Sequence, residues 1–351
     1  MPSTRSSAEA AAPRQSNRPL LLVEDLRIEI PGRRDTLVAV DGVSFAIDEG
    51  EVLGVVGESG AGKSLTGAAV IGLLEPPCHI AGGRILLAGE RIDDLPYEKL
   101  RRIRGAEIGM VFQDPLTSLN PLYTVGRQLV ETIRTHSDLG QRASRERAIE
   151  LLSEVGIPAP QRRIDQYPHE FSGGMRQRVV IALALCVNPR LVIADEPTTA
   201  LDVSIQAQII SLLKRLCREH GAAVMLITHD MGVIAETADR VAVMYAGRIV
   251  EVGPVAEVVR NARHPYTRGL MGAIPKVGHD IARLTQIDGS MPRLTAIPSG
   301  CAFHPRCPEA FERCLVERPD LMPAGASDAA CWLYDEHPSA TQRAAAARRH
   351  G

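Results

Sequence analysis

Four apolar runs along the chain predict buried strands, and three of them end in polar residues. Leu20–Ile30 is apolar-rich, while Val52–Val56, Leu191–Ala194 and Val224–Ile227 are shorter and almost wholly aliphatic. A glycine-rich turn, a pair of acids and a Thr-His-Asp triplet follow the three short runs in that order. Aliphatic runs of this kind are typical of strands in a parallel sheet, whose ligands bind beyond the carboxyl ends of the strands. The pattern therefore predicts an α/β fold with a ligand site at one edge of its sheet.

Helical periodicity appears between these runs. Leu65–Leu74 and Gln177–Cys186 each predict a helix. A third helix is predicted by i, i+3, i+4, i+7 spacing, which places four apolar residues on one face: Ala148, Leu151, Leu152 and Val155. We interpret residues from about 114 to 190 as a helical subdomain inserted into the α/β core.

The composition changes at both ends of the chain. Residues 1–19 are rich in Ala, Ser, Pro and Arg without an apolar signal-peptide core, so we expect a disordered tail there. The α/β domain is predicted over residues 20–253. Pro, Gly and Arg become frequent afterwards, which predicts a small extension over residues 254–337 and a basic tail over residues 338–351.

The length of the longest apolar run and the net charge narrow the range of possible functions. The longest apolar run, Val179–Val187, is far shorter than the roughly 20 residues that span a bilayer, so membrane attachment is expected through a partner. The formal net charge of −2 argues against a nucleic-acid binder, which would carry a basic excess. Aromatic residues make up 3% of the chain, so the core is expected to consist mostly of Val, Ile, Leu and Ala.

The glycine-rich turn has the form of a phosphate-binding loop. It fits the pattern G-x-x-x-x-G-K-[ST] with Gly57, Glu58, Ser59, Gly60, Ala61, Gly62, Lys63 and Ser64. Such a loop points backbone N–H groups at a β-phosphate, and the helix that follows adds positive potential. Lys63 is expected to reach the β- and γ-phosphates and Ser64 to bind Mg²⁺. The loop alone predicts a P-loop NTPase and leaves kinases, GTPases and motor ATPases open.

Further polar residues match the chemistry of nucleotide hydrolysis. Asp195 ends an aliphatic strand and is placed to hold Mg²⁺ through water, while Glu196 can polarise the attacking water as general base. His229 follows the next aliphatic strand and is predicted to contact the γ-phosphate. Gln113 is a candidate for sensing both Mg²⁺ and water. The predicted magnesium site therefore comprises Ser64, Gln113 and Asp195.

A second glycine-containing turn suggests a second anion site. Phe171-Ser172-Gly173-Gly174-Met175 resembles the signature of ABC ATPases, although that signature usually begins with Leu. Ser172, Gly173 and Gly174 would expose backbone N–H groups at a helix start. In the family this turn closes on the ATP of the opposite subunit, which implies a head-to-tail dimer. Ala200-Leu201-Asp202 looks like the D-loop that couples the two sites, and Asp202 belongs to it.

Several longer segments resemble the ATPases of dipeptide and oligopeptide importers. They are Tyr167–Glu170, Asp195–Val203 and His264–Thr267, together with the cysteine-containing extension. The stretch Ile205–Ile210 with Met244–Gly247 looks more like the D-type subunit than its F-type companion. The resemblance implies an ATP- and Mg²⁺-dependent subunit at the cytoplasmic face of the inner membrane. Its expected partners are an F-type ATPase subunit, two membrane permease subunits and, indirectly, an extracytoplasmic substrate-binding protein.

The adenine contact departs from the family pattern. ABC ATPases usually stack adenine on an aromatic residue upstream of the phosphate loop, and here Phe45 is the first aromatic residue of the chain. Ile30 or Arg34 could take that place.

Three alternative functions are ATPases of other importers, soluble ABC proteins and small-molecule P-loop kinases. ATPases of nickel and sugar importers are similar to those of peptide importers, and the sequence does not name the cargo. Soluble ABC proteins of translation usually carry two cassettes, and those of DNA repair carry a long coiled-coil insertion; this chain has one phosphate loop and one signature. A small-molecule P-loop kinase would lack the signature and the acid pair.

Four cysteines of the extension predict a metal site. The spacing is Cys301-x5-Cys307-x6-Cys314-x16-Cys331, and four thiolates can hold Zn²⁺ or an iron–sulfur cluster. Zinc ribbons favour paired C-x2-C knuckles, so the wider gaps suit a cubane. The resemblance points the same way, because the peptide-importer extension is associated with a [4Fe–4S] cluster. The alternative is a set of free thiols. Few large apolar residues are available for a core in the extension: Phe303, Phe311, Leu315, Leu321 and Trp332.

Overall fold

The computed structural model describes residues 18–32, 35–199, 201–272 and 287–335. The strands in these residues are β1 (Leu21–Pro31), β2 (Thr36–Ile47), β3 (Val52–Val56), β4 (His79–Leu87), β5 (Glu90–Arg91), β6 (Ile108–Val111), β7 (Leu191–Asp195), β8 (Ala223–Thr228), β9 (Arg240–Tyr245), β10 (Arg248–Pro254), β11 (Met322–Ala324) and β12 (Ser327–Ala329). Residues 1–17 of the tail expected over residues 1–19 lie outside the described residues, as do the whole tail expected over residues 338–351, Arg34 and Ala200.

Helices connect most of these strands. They are α1 (Lys63–Val70), α2 (Tyr97–Ile103), α3 (Pro115–Ser118), α4 (Val125–His136), α5 (Gln141–Glu154), α6 (Pro160–Arg163), α7 (Gly173–Leu185), α8 (Val203–His220), α9 (Met231–Thr237), α10 (Val255–Arg260), α11 (Pro265–Gly272) and α12 (Glu312–Val316). Short 3₁₀ turns cover Pro168–Glu170, Leu294–Ala296, His304–Arg306 and Trp332–Tyr334. Among the described helices, none is both long and apolar enough to cross a membrane.

The strands form two sheets. An antiparallel sheet has the order β2-β1-β4-β5, and a larger sheet has the order β11-β12-β10-β9-β3-β8-β7-β6. Within the larger sheet, β9, β3, β8, β7 and β6 run parallel, while β10, β12 and β11 continue it in antiparallel pairing. The carboxyl ends of β3, β6, β7 and β8 therefore meet at one edge, where the polar residues that follow these strands come together.

Alternate residues of the parallel strands pack into two separate cores. Val52 and Val56 of β3 belong to the core that also contains the helical region, while Leu53 and Val55 face the antiparallel sheet. Burial on both faces explains why these strands read as continuous aliphatic runs. The expected aliphatic core is confirmed, since the aromatic residues buried in it are few: Phe45, Phe171, Tyr245, Tyr266 and Phe303.

The sequence predictions locate most of these elements and miss some ends. β3 has the expected bounds, whereas β7 and β8 each extend beyond the expected run. Helix α1 ends at Val70, four residues earlier than expected, because Gly72 follows with a φ of +69° and turns the chain. Helix α7 starts four residues earlier than expected, since the Ser172 Oγ accepts a hydrogen bond from the Met175 N–H and caps it.

The chain between β6 and β7 is helical over α3 to α7. The apolar face expected in this region is confirmed: Ala148, Leu151 and Leu152 on α5 and Val155 just after it are all buried. These residues pack in the same core as strands β3, β7 and β8.

The C-terminal extension packs directly against the α/β core. Strand β12 pairs with β10, so the larger sheet continues into the extension. Phe303 is buried in the main core, where its ring lies 5.2 Å from that of Tyr245 and 5.4 Å from that of Tyr266. Two of the few large apolar residues available for a core in the extension, Leu315 and Leu321, are exposed and do not form one. The extension has a small apolar cluster of its own, formed by Ala324, Ala329, Cys331 and Tyr334, and it also packs on the larger domain through Phe303.

Candidate active site

The phosphate loop connects the end of β3 to the start of α1, and its shape depends on glycine at two positions. Gly57 has a φ of +153°, and a Cβ atom there would lie 2.3 Å from the carbonyl oxygen of Met244. Gly62 has a φ of +100°, and a Cβ atom there would lie 3.1 Å from the Ala39 carbonyl oxygen. A side chain at either position would strain the backbone, and at Gly57 it would also collide with the Met244 carbonyl group.

Lys63 is held inside the curl of this loop. The side chain is 5% exposed, and its Nζ donates to the carbonyl oxygens of Gly57 at 2.9 Å and Glu58 at 3.1 Å. Burial lowers the pKa of Lys63, and the charges of Glu196 and Asp195 oppose that shift. The loop's own carbonyl groups thus hold the ammonium group in place.

Ser64 and Asp195 form a pair where a magnesium ion was predicted. The Ser64 hydroxyl donates to Asp195 Oδ1 at 2.9 Å. Burial raises the pKa of Asp195, and the neighbouring Glu196 raises it further, while the Ser64 hydrogen bond and Lys63 lower it. A hydroxyl and a carboxylate are oxygen ligands of the kind that Mg²⁺ takes alongside phosphate and water.

Glu196 is fixed by its backbone and by three side chains. Its N–H donates to the Ile227 carbonyl oxygen at 2.8 Å, and its φ of +44° is uncommon for a residue with a side chain. Oε2 accepts hydrogen bonds from Thr199 Oγ1 at 2.8 Å and Gln113 Nε2 at 3.1 Å, and Oε1 lies 3.5 Å from His229 Nδ1. Strained backbone of this kind persists where the surroundings enforce it, and it concentrates at functional sites.

A cavity of about 940 Å³ lies over these residues. It is lined by most of the phosphate loop, by Gln113, Glu196 and His229, and by residues without a recognisable motif: Ala39, Leu65, Leu270, Met291, Pro292, Arg293 and Leu294. Sequence reasoning missed the last five of these residues because the fold, rather than any local pattern, brings the extension to the loop. No Phe, Tyr or Trp of the described residues lines the cavity, and Ile30 does not line it either.

The signature turn lies apart from this cavity. Ser172, Gly173 and Gly174 are not among the cavity's lining residues, and Ser172 and Gly173 are exposed. The turn packs beside the start of α8, where a Cβ atom on Gly174 would lie 3.0 Å from Ile205 Cγ2. Asp202 is exposed as well and lies away from the cavity.

The four cysteines of the extension line a second, small cavity of about 10 Å³. Burial raises the pKa of Cys301, and it raises the pKa of Cys307 to about 11 and of Cys331 to about 12; the charges of neighbouring thiols add to each shift. Within the described ranges, no group of three or more His, Cys, Asp or Glu side chains is arranged so that it could hold a metal ion. The cysteines therefore converge without forming a finished single-ion site.

Two family models match the chain. The ABC transporter family matches residues 40–199, and the oligopeptide/dipeptide transporter C-terminal region matches residues 250–314. The first match spans the phosphate loop, the signature turn and the acid pair, and the second contains Tyr266, Phe303 and three of the four cysteines.

Named relatives cover most of the chain. The dipeptide transport ATP-binding protein DppD of Bacillus subtilis is 47% identical over 319 residues, which cover 90% of this chain and 95% of the relative. The oligopeptide transport ATP-binding protein OppD of the same organism is 49% identical over 305 residues, or 86% of this chain and 85% of the relative. DppD of Escherichia coli is 46% identical and covers 86% of this chain and 92% of the relative.

Solved structures share the fold. A dimeric ATP-binding cassette in a post-hydrolysis state, bound to ADP and Pi, superimposes with a TM-score of 0.61 at 29% identity and covers 67% of this chain and 98% of that one. The CbiO1 protein of a Clostridium perfringens ABC transporter complex gives a TM-score of 0.59 at 31% identity, covering 69% and 91%. The chain therefore belongs to the ATP-binding proteins of the ABC transporter family, in the group of the oligopeptide and dipeptide transporters.

Proposed function

We propose that the chain hydrolyses ATP to drive the import of dipeptides or oligopeptides at the cytoplasmic face of the inner membrane. The ATPase core carries the chemistry, and permease subunits that it contacts carry the cargo. The peptide cargo is supported by relatives whose names specify dipeptide and oligopeptide transport and which match this chain over its cassette and most of its extension.

The observation that carries this proposal is the separation of two phosphate-binding turns in one chain. The phosphate loop lines the large cavity, while the signature turn at Ser172 is exposed elsewhere on the surface. One triphosphate does not need two such turns within one subunit. We therefore propose a head-to-tail dimer with an F-type subunit, in which Ser172, Gly173 and Gly174 close on the partner's ATP while Asp202 links the two sites.

Hydrolysis is assigned to the residues around Glu196. Glu196 acts as general base on the attacking water, and Gln113 and His229 orient that water and the γ-phosphate. ATP enters with Mg²⁺, for which Ser64, Gln113 and Asp195 are the proposed ligands, and the ion offsets phosphate charge. The backbone of residues 57–62 and Lys63 bind the phosphates.

The permease subunits are proposed to dock beside the segment between Asp114 and Val125. This segment exposes Leu116 by 62% and Leu122 by 79%, and Phe112 just before it is also exposed. Exposed apolar side chains close together favour a protein partner over water.

Uptake by whole cells tests the proposal. A strain lacking this gene and auxotrophic for one amino acid is supplied with that amino acid free or within a dipeptide. Growth on the dipeptide, with the wild-type gene but not with Glu196→Gln, is expected, while growth on the free amino acid stays equal. Normal dipeptide growth without the gene, combined with lost nickel or sugar accumulation, would replace the peptide cargo with that alternative.

We also propose that Cys301, Cys307, Cys314 and Cys331 bind a [4Fe–4S] cluster. All four line one cavity, and burial raises the pKa values of Cys301, Cys307 and Cys331, so metal binding would release protons there. A zinc ion with bonds of ~2.3 Å would draw the four sulfurs to within about 4 Å of one another. A cubane spreads its four ligands over separate irons, which the wider cysteine spacing favours.

Iron analysis of anaerobically purified protein tests the cluster. About four irons per chain and absorbance near 400 nm are expected, and both should disappear in the Cys307→Ser variant. Cys217→Ser, which changes a buried cysteine outside the extension, is the matched control. One zinc per chain would replace the cluster with a zinc site, and metal-free protein with an intact extension would leave the cysteines as free thiols.

A further inference from the structure

Arg306 of the extension contacts the phosphate loop across 248 residues of sequence. Its guanidinium donates two parallel hydrogen bonds to the Glu58 carboxylate, from Nη1 to Oε2 at 2.9 Å and from Nη2 to Oε1 at 2.9 Å. Bidentate pairs of this kind combine charge with fixed geometry. The Arg306 side chain is 7% exposed and that of Glu58 27% exposed, so water and salt screen the pair less than a surface ion pair.

The Arg306 guanidinium is itself fixed from several sides. Nε donates to the Asp288 carbonyl oxygen at 2.8 Å, and Nη1 lies 3.4 Å from the Tyr245 hydroxyl, which accepts from it. The rings of Tyr245 and Phe303 lie 5.8 and 5.9 Å from its central carbon. The hydrogen bonds to Glu58 are the main cause that raises the pKa of Arg306, so it stays cationic. The cation is therefore held in place by the fold of the extension.

A second residue from beyond the cassette core holds the same loop position. The Glu58 N–H donates to the hydroxyl of Tyr266 at 2.8 Å, and Tyr266 is fully buried. The Glu58 carbonyl oxygen accepts from Lys63. All three polar parts of Glu58 thus have partners, and two of those partners come from residues that follow strand β10.

The position of the Glu58 side chain gives these contacts a consequence for ATP. Glu58 lines the large cavity together with the phosphate-binding residues. A triphosphate brings several negative charges to this cavity, and an unpaired carboxylate beside it would repel them. We propose that Arg306 is a positioning residue for ATP: it neutralises Glu58 and, with Tyr266, fixes that turn of the loop, so that the extension completes the phosphate site. The inference rests on ATP binding by the phosphate loop, which is part of the proposed function.

A double-mutant cycle on the full-length chain tests this role. Binding is measured by displacement of a methylanthraniloyl-labelled ATP by unlabelled ATP with Mg²⁺. Arg306→Ala should weaken ATP binding about tenfold or more, because it leaves the Glu58 carboxylate uncompensated. Glu58→Gln, which removes the charge that Arg306 offsets, should lose less affinity than Arg306→Ala, and adding Glu58→Gln to Arg306→Ala should restore binding to about the level of Glu58→Gln alone. Arg306→Lys, which keeps the charge without the bidentate geometry, should fall between wild type and Arg306→Ala.

The charge of the nucleotide supplies a readout that a purely structural role would not move. The loss in Arg306→Ala should be largest for ATP, smaller for ADP and smallest for AMP, and it should shrink as salt is raised. Arg268→Ala is the matched control, because Arg268 pairs with Glu309 inside the extension at 2.7 Å and does not reach the loop. It should bind ATP like the wild type.

Two results would overturn the inference. One is ATP binding by Arg306→Ala within about twofold of wild type. The other is a double variant as weak as Arg306→Ala with an equal loss for ATP, ADP and AMP, since that would mean Arg306 supports only the fold of the extension. Wild-type protein that binds no ATP at all would instead remove the proposed function itself, so the two failures are distinguishable.

Discussion

The phosphate loop and the C-terminal extension are held in place by different kinds of contact. The loop consists of eight consecutive residues, six between β3 and α1 and the first two of α1, and Lys63 closes it onto carbonyl groups five and six residues away. The extension is held by distant partners: β12 on β10, Phe303 against the buried Tyr245, and Arg306 on Glu58. The comparison teaches that a binding loop can be formed by consecutive residues while the charge that neutralises its carboxylate comes from the far end of the chain.

Removing the general base would test the local half of this comparison most strongly. Glu196→Gln in the assembled transporter should lower steady-state ATP hydrolysis by roughly 10²- to 10⁴-fold, because the water loses its positioned base. ATP binding should persist, since the phosphate loop is unchanged. Phosphate release and labelled-nucleotide binding measure the two quantities. The contrasting variant Lys63→Ala should lose binding itself, and turnover near the wild-type rate in Glu196→Gln would take Glu196 out of this role.

Truncating Phe303, the extension residue that is buried in the main core, would test the contacts between distant parts of the chain. Phe303→Ala should lower the free energy of unfolding by about 3–5 kcal/mol, since a buried ring is removed from the main core. Chemical denaturation can be followed with two probes: the single tryptophan, Trp332 in the extension, and far-UV circular dichroism, which reports mainly on the helices of the cassette.

The two probes should give coincident transitions in the wild type if extension and cassette unfold together. Phe311→Ala is the control for Phe303→Ala and should lower the free energy of unfolding by less, because Phe311 is only half buried. A tryptophan transition at lower denaturant than the circular dichroism transition would mean that the extension unfolds independently. The loop and the extension would then belong to two separate domains.

Sequence patterns predicted the elements formed by consecutive residues and missed the contacts between residues that are far apart in the chain. The strands β3, β7 and β8 were predictable because burial on both faces imposes aliphatic runs, and the acids at the end of β7 followed directly. Thr199 was missed as a partner of Glu196, since a threonine in a turn has no distinctive pattern. Arg306 and Tyr266 could not be found because their partner is more than 200 residues away. The metal-ligand arrangement expected of the cysteines is not formed by the described residues.

A buried histidine at the junction of the two regions predicts acid sensitivity. Burial, with a smaller contribution from Arg268, lowers the pKa of His264 to about 3, and its Nδ1 accepts a hydrogen bond from the Tyr266 N–H at 3.1 Å. The unfolded chain, with an ordinary histidine pKa near 6.5, binds the proton first as the pH falls. Stability is therefore full above about pH 6.5 and should fall by about 2 kcal/mol between pH 7 and pH 5 from this residue alone.

Denaturation at several pH values checks this contribution. His264→Asn keeps an acceptor for the Tyr266 N–H and should flatten the slope by that amount. The same substitution at the exposed His79 controls for the change of residue type. An unchanged slope in His264→Asn would contradict the assignment.

The smallest expected effect concerns the nucleobase. Beyond the phosphate-binding and hydrolytic residues the cavity is lined by Ala39, Leu65, Leu270 and residues 291–294, with no Phe, Tyr or Trp from the described part of the chain. Affinity should come mainly from phosphates and Mg²⁺, so ATP and GTP should bind within about tenfold of each other in competition. A preference above ~100-fold, or about 3 kcal/mol, would require an adenine contact outside these lining residues.

The pairing of β12 with β10 also has a consequence for the order of synthesis. Strand β10 is complete at residue 254, but its partner strand ends at residue 329, so a ribosome working at 5–20 residues per second leaves that sheet edge open for several seconds. An open edge invites mispairing with other chains. Glu251 on β10 is fully buried in the folded protein. During synthesis its carboxylate gains hydrogen bonds first from the Arg263 and His264 N–H groups and finally from the Ser327 hydroxyl. A nascent chain stalled in this interval is the form that chaperones would be expected to recognise.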